Sequence, residues 1–363
     1  MKGGKKWPGN LLLVVSSTLL TLVAFEVLLN FTNLVPETDQ SASGKVYQHY
    51  PGYYKFVPNL KNVSFTGTDI DTNAFGFRDD KMRLEKDNDT YRIAVLGDSW
   101  GFGWGMKYEK SFVRLLEHSL QNMYAPQSIE MLNFAVPGHN MLRYPNVLEN
   151  EVLQFNPDFC ILFLHLNDIE IRVEKERPLA GPLNDIENHV EEERPLAGQY
   201  QSDLITYIKY LKLSKLVYAR VLLPTAIKLG ISNNGLIDSF KRKYAHDSPG
   251  FVQYQSSLEN LVDLLEQNDL EIMVFLLPLS LASGNPYQLQ AVNDIVKETF
   301  SKHGIQVREL LENYPYYPKD KLTIHAFDGH PTEFASALLA EEIFSELVTG
   351  RDTRLSIDIN SQK

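Results

Sequence analysis

Five positions spread over more than two hundred residues hold side chains or backbone whose types suit one reaction. Ser99 stands in Tyr91-Arg-Ile-Ala-Val-Leu-Gly-Asp-Ser-Trp-Gly-Phe-Gly-Trp-Gly105. Arg92 to Leu96 is a β-forming run, Gly97 stops it, and glycine recurs at every second position from Gly101. A serine just past a strand holds its hydroxyl above the edge of a parallel sheet, beside backbone N–H groups that can face an anion. Gly138 lies in Asn133-Phe-Ala-Val-Pro-Gly-His139, and Asn167 in His165-Leu-Asn-Asp168, each just past another apolar run. Asp328 and His330 lie in Phe327-Asp-Gly-His-Pro-Thr-Glu333, close before the last helix-forming stretch.

Together these residues supply the parts of acyl transfer. Ser99 would be the nucleophile and His330 the general base and then acid, with Asp328 fixing the imidazole tautomer. The Ser99 and Gly138 N–H groups and the Asn167 amide would hold the oxyanion, a contribution of roughly 3–4 kcal/mol per well-aimed donor. Singly, each feature has a plainer reading: Asp-Ser-Gly as a tight turn, Asn-Asp as a cap, and Asp-Gly-His-Pro as a turn with Pro331 opening a helix. Their order along the chain, each at a strand end, favours the joint reading. His325 is a second imidazole nearby but lacks the Asp-x-His context. Asp98, Trp100, His139, His165 and Asp168 are candidates for the surrounding pocket. Trp100, Phe102 and Trp104 either form an apolar substrate wall or pack the first helix, and Arg78 either packs with its neighbours Asp79 and Asp80 or reaches a substrate anion.

Those residues must be carried by elements that bring them to one edge. From Tyr91 onward, apolar strands alternate with amphipathic helices. Strands are expected near 91–97, 129–134, 158–164, 271–277 and 305–308, and helices near 109–123, 142–154, 258–266, 288–300 and from Pro331 to about Leu347. This pattern predicts an α/β fold, a three-layer α/β/α sandwich around a parallel sheet of about five strands. Residues 169–250 interrupt it with two copies of Glu-Arg-Pro-Leu-Ala-Gly, at 176–181 and 193–198, and a helical stretch at 203–227. Leaving from a strand's C-terminal end, this insert is expected to act as a lid or substrate wall, with an inert packing insertion or a membrane- or partner-contacting element as alternatives. Residues 32–48 read as a tether and 49–89 as an aromatic, proline-rich arm, extended or in a loose hairpin. The tail from 349 to 363 is polar.

The sequence resembles the SGNH hydrolase superfamily, the GDSL-type esterases and lipases. The resemblance is carried by Gly97-Asp98-Ser99, Gly138, Asn167-Asp168 and Asp328-x-His330, and covers residues 90–348 apart from the insert. It implies a flavodoxin-like SGNH fold and the same roles for Ser99, Gly138, Asn167, Asp328 and His330. The run Gly-Asp-Ser-aromatic-x-x-Gly-x-Gly is similar to that of membrane-anchored bacterial members associated with envelope polysaccharides. His165 stands where the family usually has glycine. Asp328 stands two before the histidine, where three is the commoner spacing and two resembles polysaccharide O-acetyltransferases. The reaction so implied is hydrolysis of an O-acyl ester, acetyl foremost, on a glycan or glycolipid. The alternatives are acyl transfer to a sugar, a lipase or lysophospholipase, and a non-catalytic glycan- or protein-binding domain.

Composition bounds the rest. The chain has 363 residues, 44% hydrophobic and 22% charged, enough for one large core. A net charge of −11 and the lack of a basic patch interleaved with aromatics argue against nucleic acid. The one cysteine, Cys160, reads as core filling; it permits neither an intrachain disulfide nor a cysteine-based metal site. The other histidines show no metal-ligand spacing, and the glycines after Ser99 lack a nucleotide fingerprint, so neither metal nor cofactor is expected. Lys2, Lys5 and Lys6 precede the apolar run Leu11 to Leu29. This predicts a single-pass transmembrane helix within residues 1–31, with the N-terminus cytoplasmic, the membrane as partner and the catalytic domain extracytoplasmic, a cleaved signal peptide being the main alternative.

Overall fold

The computed structural model describes residues 7–30, 46–80, 82–169, 231–279, 287–310, 317–325 and 328–349. The chain divides into two compact units, residues 1–38 with 178–232, and residues 39–177 with 233–363. In the first, helix α1 spans Trp7–Asn30 over the apolar N-terminal run. It is not the expected membrane anchor, because among the described residues no helix is long and apolar enough to cross a membrane. The apolar run is broken by Ser16, Ser17, Thr18, Thr21 and Glu26. The hydroxyls of Ser17 and Thr18 turn back onto the Val14 carbonyl, and that of Thr21 onto Ser17. The transmembrane helix drops out of the fold description, and with it go the membrane partner and the extracytoplasmic placement that rested on it.

The second unit opens with the arm, which forms two hairpins, β1 (Tyr47–Tyr50) with β2 (Tyr53–Phe56) and β3 (Val63–Phe65) with β4 (Thr68–Ile70). Its aromatics hold it to the main body, and Phe56 stacks on Phe102 at 5.1 Å. Then come β5 (Thr90–Gly97), α2 (Ser99–Phe102), α3 (Phe112–Tyr124), β6 (Ser128–Asn133), α4 (Tyr144–Val147), β7 (Phe159–Leu164), α5 (Ile231–Lys243), α6 (Pro249–Gln267), β8 (Ile272–Leu276), α7 (Gln290–Ser301) and β9 (Val307–Glu309). α4 runs on through a π turn and a 3₁₀ turn to Phe155, so the expected helix at 142–154 is present but unevenly wound. The five strands β5 to β9 form one parallel sheet in the order β6-β5-β7-β8-β9. That order places a reversal of strand order beside β5, since β6 is added on one side of it and β7 on the other, and open parallel sheets form a crevice at the C-terminal edge of such a point.

Alternate residues of each central strand feed two cores, because successive side chains in a strand point to opposite faces. Ala94, Leu96, Cys160 and Leu162 face a core closed by α4, α6, α7 and the arm. Ile93, Val95, Ile161 and Phe163 face a second, closed by α3 and the last helix. Both faces are covered, which gives the three layers, and each fully buried leucine or phenylalanine contributes about 1.5–3 kcal/mol.

The chain closes with α8 (Lys319–Leu322), β10 (Thr323–His325), β11 (Asp328–Pro331) and α9 (Glu333–Thr349). β10 and β11 pair as an antiparallel hairpin. Pro331 therefore ends a strand and does not open the helix; Thr332 precedes α9 and its hydroxyl accepts from the Ala335 N–H at 3.2 Å. Of the insert, residues 170–230 lie outside the described residues, including both Glu-Arg-Pro-Leu-Ala-Gly copies. Its remainder packs on the core through Phe240 and Tyr244, which are buried, and the Tyr244 hydroxyl donates to the Leu166 carbonyl at 3.0 Å.

Arg78 packs. It is buried, and its guanidinium donates to the carbonyls of Phe102 at 3.2 Å, Gly103 at 2.8 Å and Met106 at 2.7 Å. Its neighbour Asp79 accepts from the Asn133 N–H at 2.9 Å. Replacing Arg78 with methionine keeps the stem but strands three carbonyls, so a loss of about 3 kcal/mol is expected in denaturant unfolding. A midpoint unchanged from the native chain would contradict this clamp.

Candidate active site

Ser99 is the first residue of α2, directly after β5. Asp98 caps this short helix, its carboxylate accepting the Trp100 N–H at 2.9 Å. The Ser99 N–H, in the first turn, has no intrahelical acceptor, so it is available to an anion. The side chain is 7% exposed.

The hairpin β10–β11 brings the partners. Residues i and i+2 of a strand share a face, so the Asp-x-His spacing inside β11 sets the two side chains next to each other. His330 Nδ1–H donates to Asp328 Oδ1 at 2.5 Å, and the His330 backbone N–H reaches the same oxygen at 3.1 Å. On the far side of the ring, Ser99 Oγ–H donates to Nε2 at 2.7 Å. Burial alone would raise the Asp328 carboxyl, but hydrogen bonds and charge from His330 outweigh it and hold the group below its usual range. It thus stays ionised wherever the imidazole can act as a base. His325 sits opposite Asp328 in the hairpin register, while the ring that reaches Ser99 belongs to His330.

The loops after β6 and β7 flank Ser99. The Val136 N–H donates to the Gly97 carbonyl at 3.3 Å, and the Met141 N–H to the Asp168 carbonyl at 3.1 Å, so the three loops leave the sheet tied to one another. Val136 to His139 make a turn in which Gly138 has φ +81°, and a Cβ there would come within 2.5 Å of the Tyr54 hydroxyl. That hydroxyl donates to the Pro137 carbonyl at 2.8 Å. Because a trans peptide points its N–H opposite its carbonyl, this bond also fixes the direction of the Gly138 N–H. Asn167 lies in the turn after β7, and its Oδ1 accepts from His165 Nδ1 at 2.8 Å, which fixes the amide with Oδ1 occupied and its NH₂ on the other side.

The other candidate residues lie beneath this surface. Trp100 is buried with its ring 5.2 Å from that of His165. Asp168 is buried and accepts from the Tyr144 hydroxyl at 2.8 Å and the His165 N–H at 3.2 Å. His139 is buried, its Nε2–H donating to the Tyr54 carbonyl at 2.7 Å. These bonds hold the loops that carry Gly138 and Asn167.

Sequence reading missed what surrounds His330. Trp104 stacks on the imidazole at 4.7 Å with the planes 15° apart. An alternating Trp-Gly-Phe-Gly-Trp run signals aromatic packing, and nothing in it names a partner 226 residues further on.

The arrangement is a serine-hydrolase triad, with a nucleophile, a base and an oriented carboxylate in one line of hydrogen bonds. No family model and no curated protein matches the chain. Solved structures do resemble it. An esterase, EstA, from Pseudoalteromonas sp. is 14% identical, with a TM-score of 0.40, over 70% of this chain and 96% of its own. A lipolytic G-D-S-L family member from Veillonella parvula is 15% identical, with a TM-score of 0.37, over 72% and 99%. A catalytic mutant of an acetylxylan esterase from Geobacillus stearothermophilus is 16% identical, with a TM-score of 0.39, over 71% and 94%. These likenesses are distant, and the reading of the site rests on the geometry of Ser99, His330 and Asp328.

Proposed function

We propose that the chain hydrolyses carboxylic esters carrying a small acyl group, acetyl foremost, on a carbohydrate alcohol. The observation that supports this reading is the unbroken line from Ser99 Oγ through both His330 nitrogens to Asp328. Ser99 Oγ attacks the acyl carbon as His330 Nε2 takes its proton, and the imidazolium is held by the ionised Asp328. The carbonyl oxygen becomes an oxyanion facing the Ser99 and Gly138 N–H groups and the Asn167 amide. Collapse expels the alcohol, which takes the proton from Nε2 and leaves acyl-Ser99. Water then attacks the acyl carbon, giving a proton to the same nitrogen, which passes it to Ser99 Oγ as the acyl–oxygen bond breaks and the acid leaves. The low exposure of Ser99 favours a short acyl group.

Incubation of the chain with a fluorophosphonate probe is expected to label Ser99, mapped by peptide mass, and p-nitrophenyl acetate is expected to be turned over. An absence of both in a folded sample favours a binding domain over an enzyme. Adding an acetylated oligosaccharide, and separately an unacetylated acceptor, tests the carbohydrate half of the reading. Hydrolysis would be the wrong reaction if the acceptor captured most of the acyl group.

A further inference from the structure

One residue outside the triad touches both Ser99 and His330. The Trp104 backbone N–H donates to the Ser99 carbonyl at 3.0 Å. Its indole stacks on the His330 ring. Trp104 is itself held: the Phe65 ring meets it edge-on at 5.6 Å, and Arg78 grips the carbonyls of Phe102, Gly103 and Met106 on either side. Gly105 beside it has φ +71°, and a Cβ there would lie 2.5 Å from Ile324 Cδ1 of β10, so the loop rests closely on the hairpin that carries the base.

This matters because Ser99 and His330 come from elements 231 residues apart, joined at the site by a single hydrogen bond. The imidazole could pivot about its Cβ–Cγ bond and break both of its side-chain contacts. A flat indole against the ring face removes that freedom.

We infer that Trp104 is a positioning residue for the triad, holding the His330 ring in plane with Ser99 and Asp328 by stacking on its face. The inference rests on the reading of Ser99, His330 and Asp328 as the working triad. Positioning acts on the chemical step and leaves ground-state binding of the ester largely untouched, so it separates from a substrate-wall role.

The test compares Trp104→Leu, which removes the stack, with Trp104→Phe, which keeps an aromatic face for the imidazole. With p-nitrophenyl acetate, Trp104→Leu is expected to lose about 10- to 100-fold in kcat with KM little changed. Trp104→Phe is expected to recover most of that loss, and the rate of fluorophosphonate labelling to follow the same order. Both variants are to be checked for an unchanged melting temperature, and the conservative variant keeps the comparison usable should leucine fail to fold. A rise in KM at constant kcat would overturn positioning in favour of substrate contact. Equal kcat in Trp104→Leu and the native chain would overturn it outright. Turnover and labelling that survive Ser99→Ala would instead bring down the triad reading beneath it.

Discussion

Replacing Ser99 with alanine is expected to lower kcat on p-nitrophenyl acetate by on the order of 10⁴- to 10⁶-fold, with fluorophosphonate labelling abolished. Stability should change by only about 1 kcal/mol, since the substitution removes one good hydrogen bond, from Oγ to His330 Nε2. His330→Ala is expected to cost about as much activity as Ser99→Ala. The double variant should be hardly worse than either, because a nucleophile and its base act as one unit. Residual rate above that of water would come from the proposed oxyanion donors at Ser99, Gly138 and Asn167, whose backbone or side chains survive in both. Additive losses would mean that Ser99 and His330 do not work on the same step.

The second large effect concerns acid stability and resides at His139. Burial pushes this imidazole down to about 3, with the hydrogen bond to the Tyr54 carbonyl opposing and the charge of Arg143 adding to the fall. The folded state therefore keeps His139 neutral, while an unfolded chain binds a proton below about 6.5. Between those two values the unfolded state holds more protons, so stability falls as pH falls. The loss attributable to His139 is about 2 kcal/mol at pH 5 and about 3 kcal/mol at pH 4. His139→Gln keeps an amide N–H within reach of the Tyr54 carbonyl but has no titrating group. Urea unfolding at pH 7 and pH 5 should show the variant losing about 2 kcal/mol less than the native chain over that interval. An identical drop in both would rule out a buried neutral histidine. Since His139 follows Gly138 in the same turn, acid unfolding of this corner would also disturb an oxyanion donor.

Much of the fold was legible because its signals are periodic. Runs such as Phe159–Leu164, apolar at every position, can be satisfied only in a strand covered on both faces, and that is where the chain places it. Ser99, Gly138 and Asn167 could be read because each follows such a run. The pairing of Asp328 with His330 was legible as chemistry but not as geometry. Pro331 carries the signal of a helix start, yet Asp-Gly-His-Pro is a strand, and only in a strand does an i, i+2 spacing align the two side chains. Arg78 was opaque for another reason. Asp79 and Asp80 offered adjacent charges, but its bonds go to backbone carbonyls 24 to 28 residues on, and carbonyls carry no mark in a sequence. The N-terminal run has the length expected of a span, but its hydroxyl residues and Glu26 break its apolarity, and among the described residues no helix is long and apolar enough to cross a membrane. Trp104 joins these cases, since its role depends on a hairpin that the sequence did not announce.

The separation of Ser99 and His330 also bears on how the protein is made. A ribosome adding about 5–20 residues per second needs on the order of ten to fifty seconds to travel the 231 residues between them. Once β6 and β7 have followed, a nascent chain can carry a paired β5 and a placed serine, with no base to activate it. Full chemistry waits until the hairpin β10–β11 emerges and closes against Trp104, so a chain that stalls or is cut before residue 328 loses base and orienting carboxylate together.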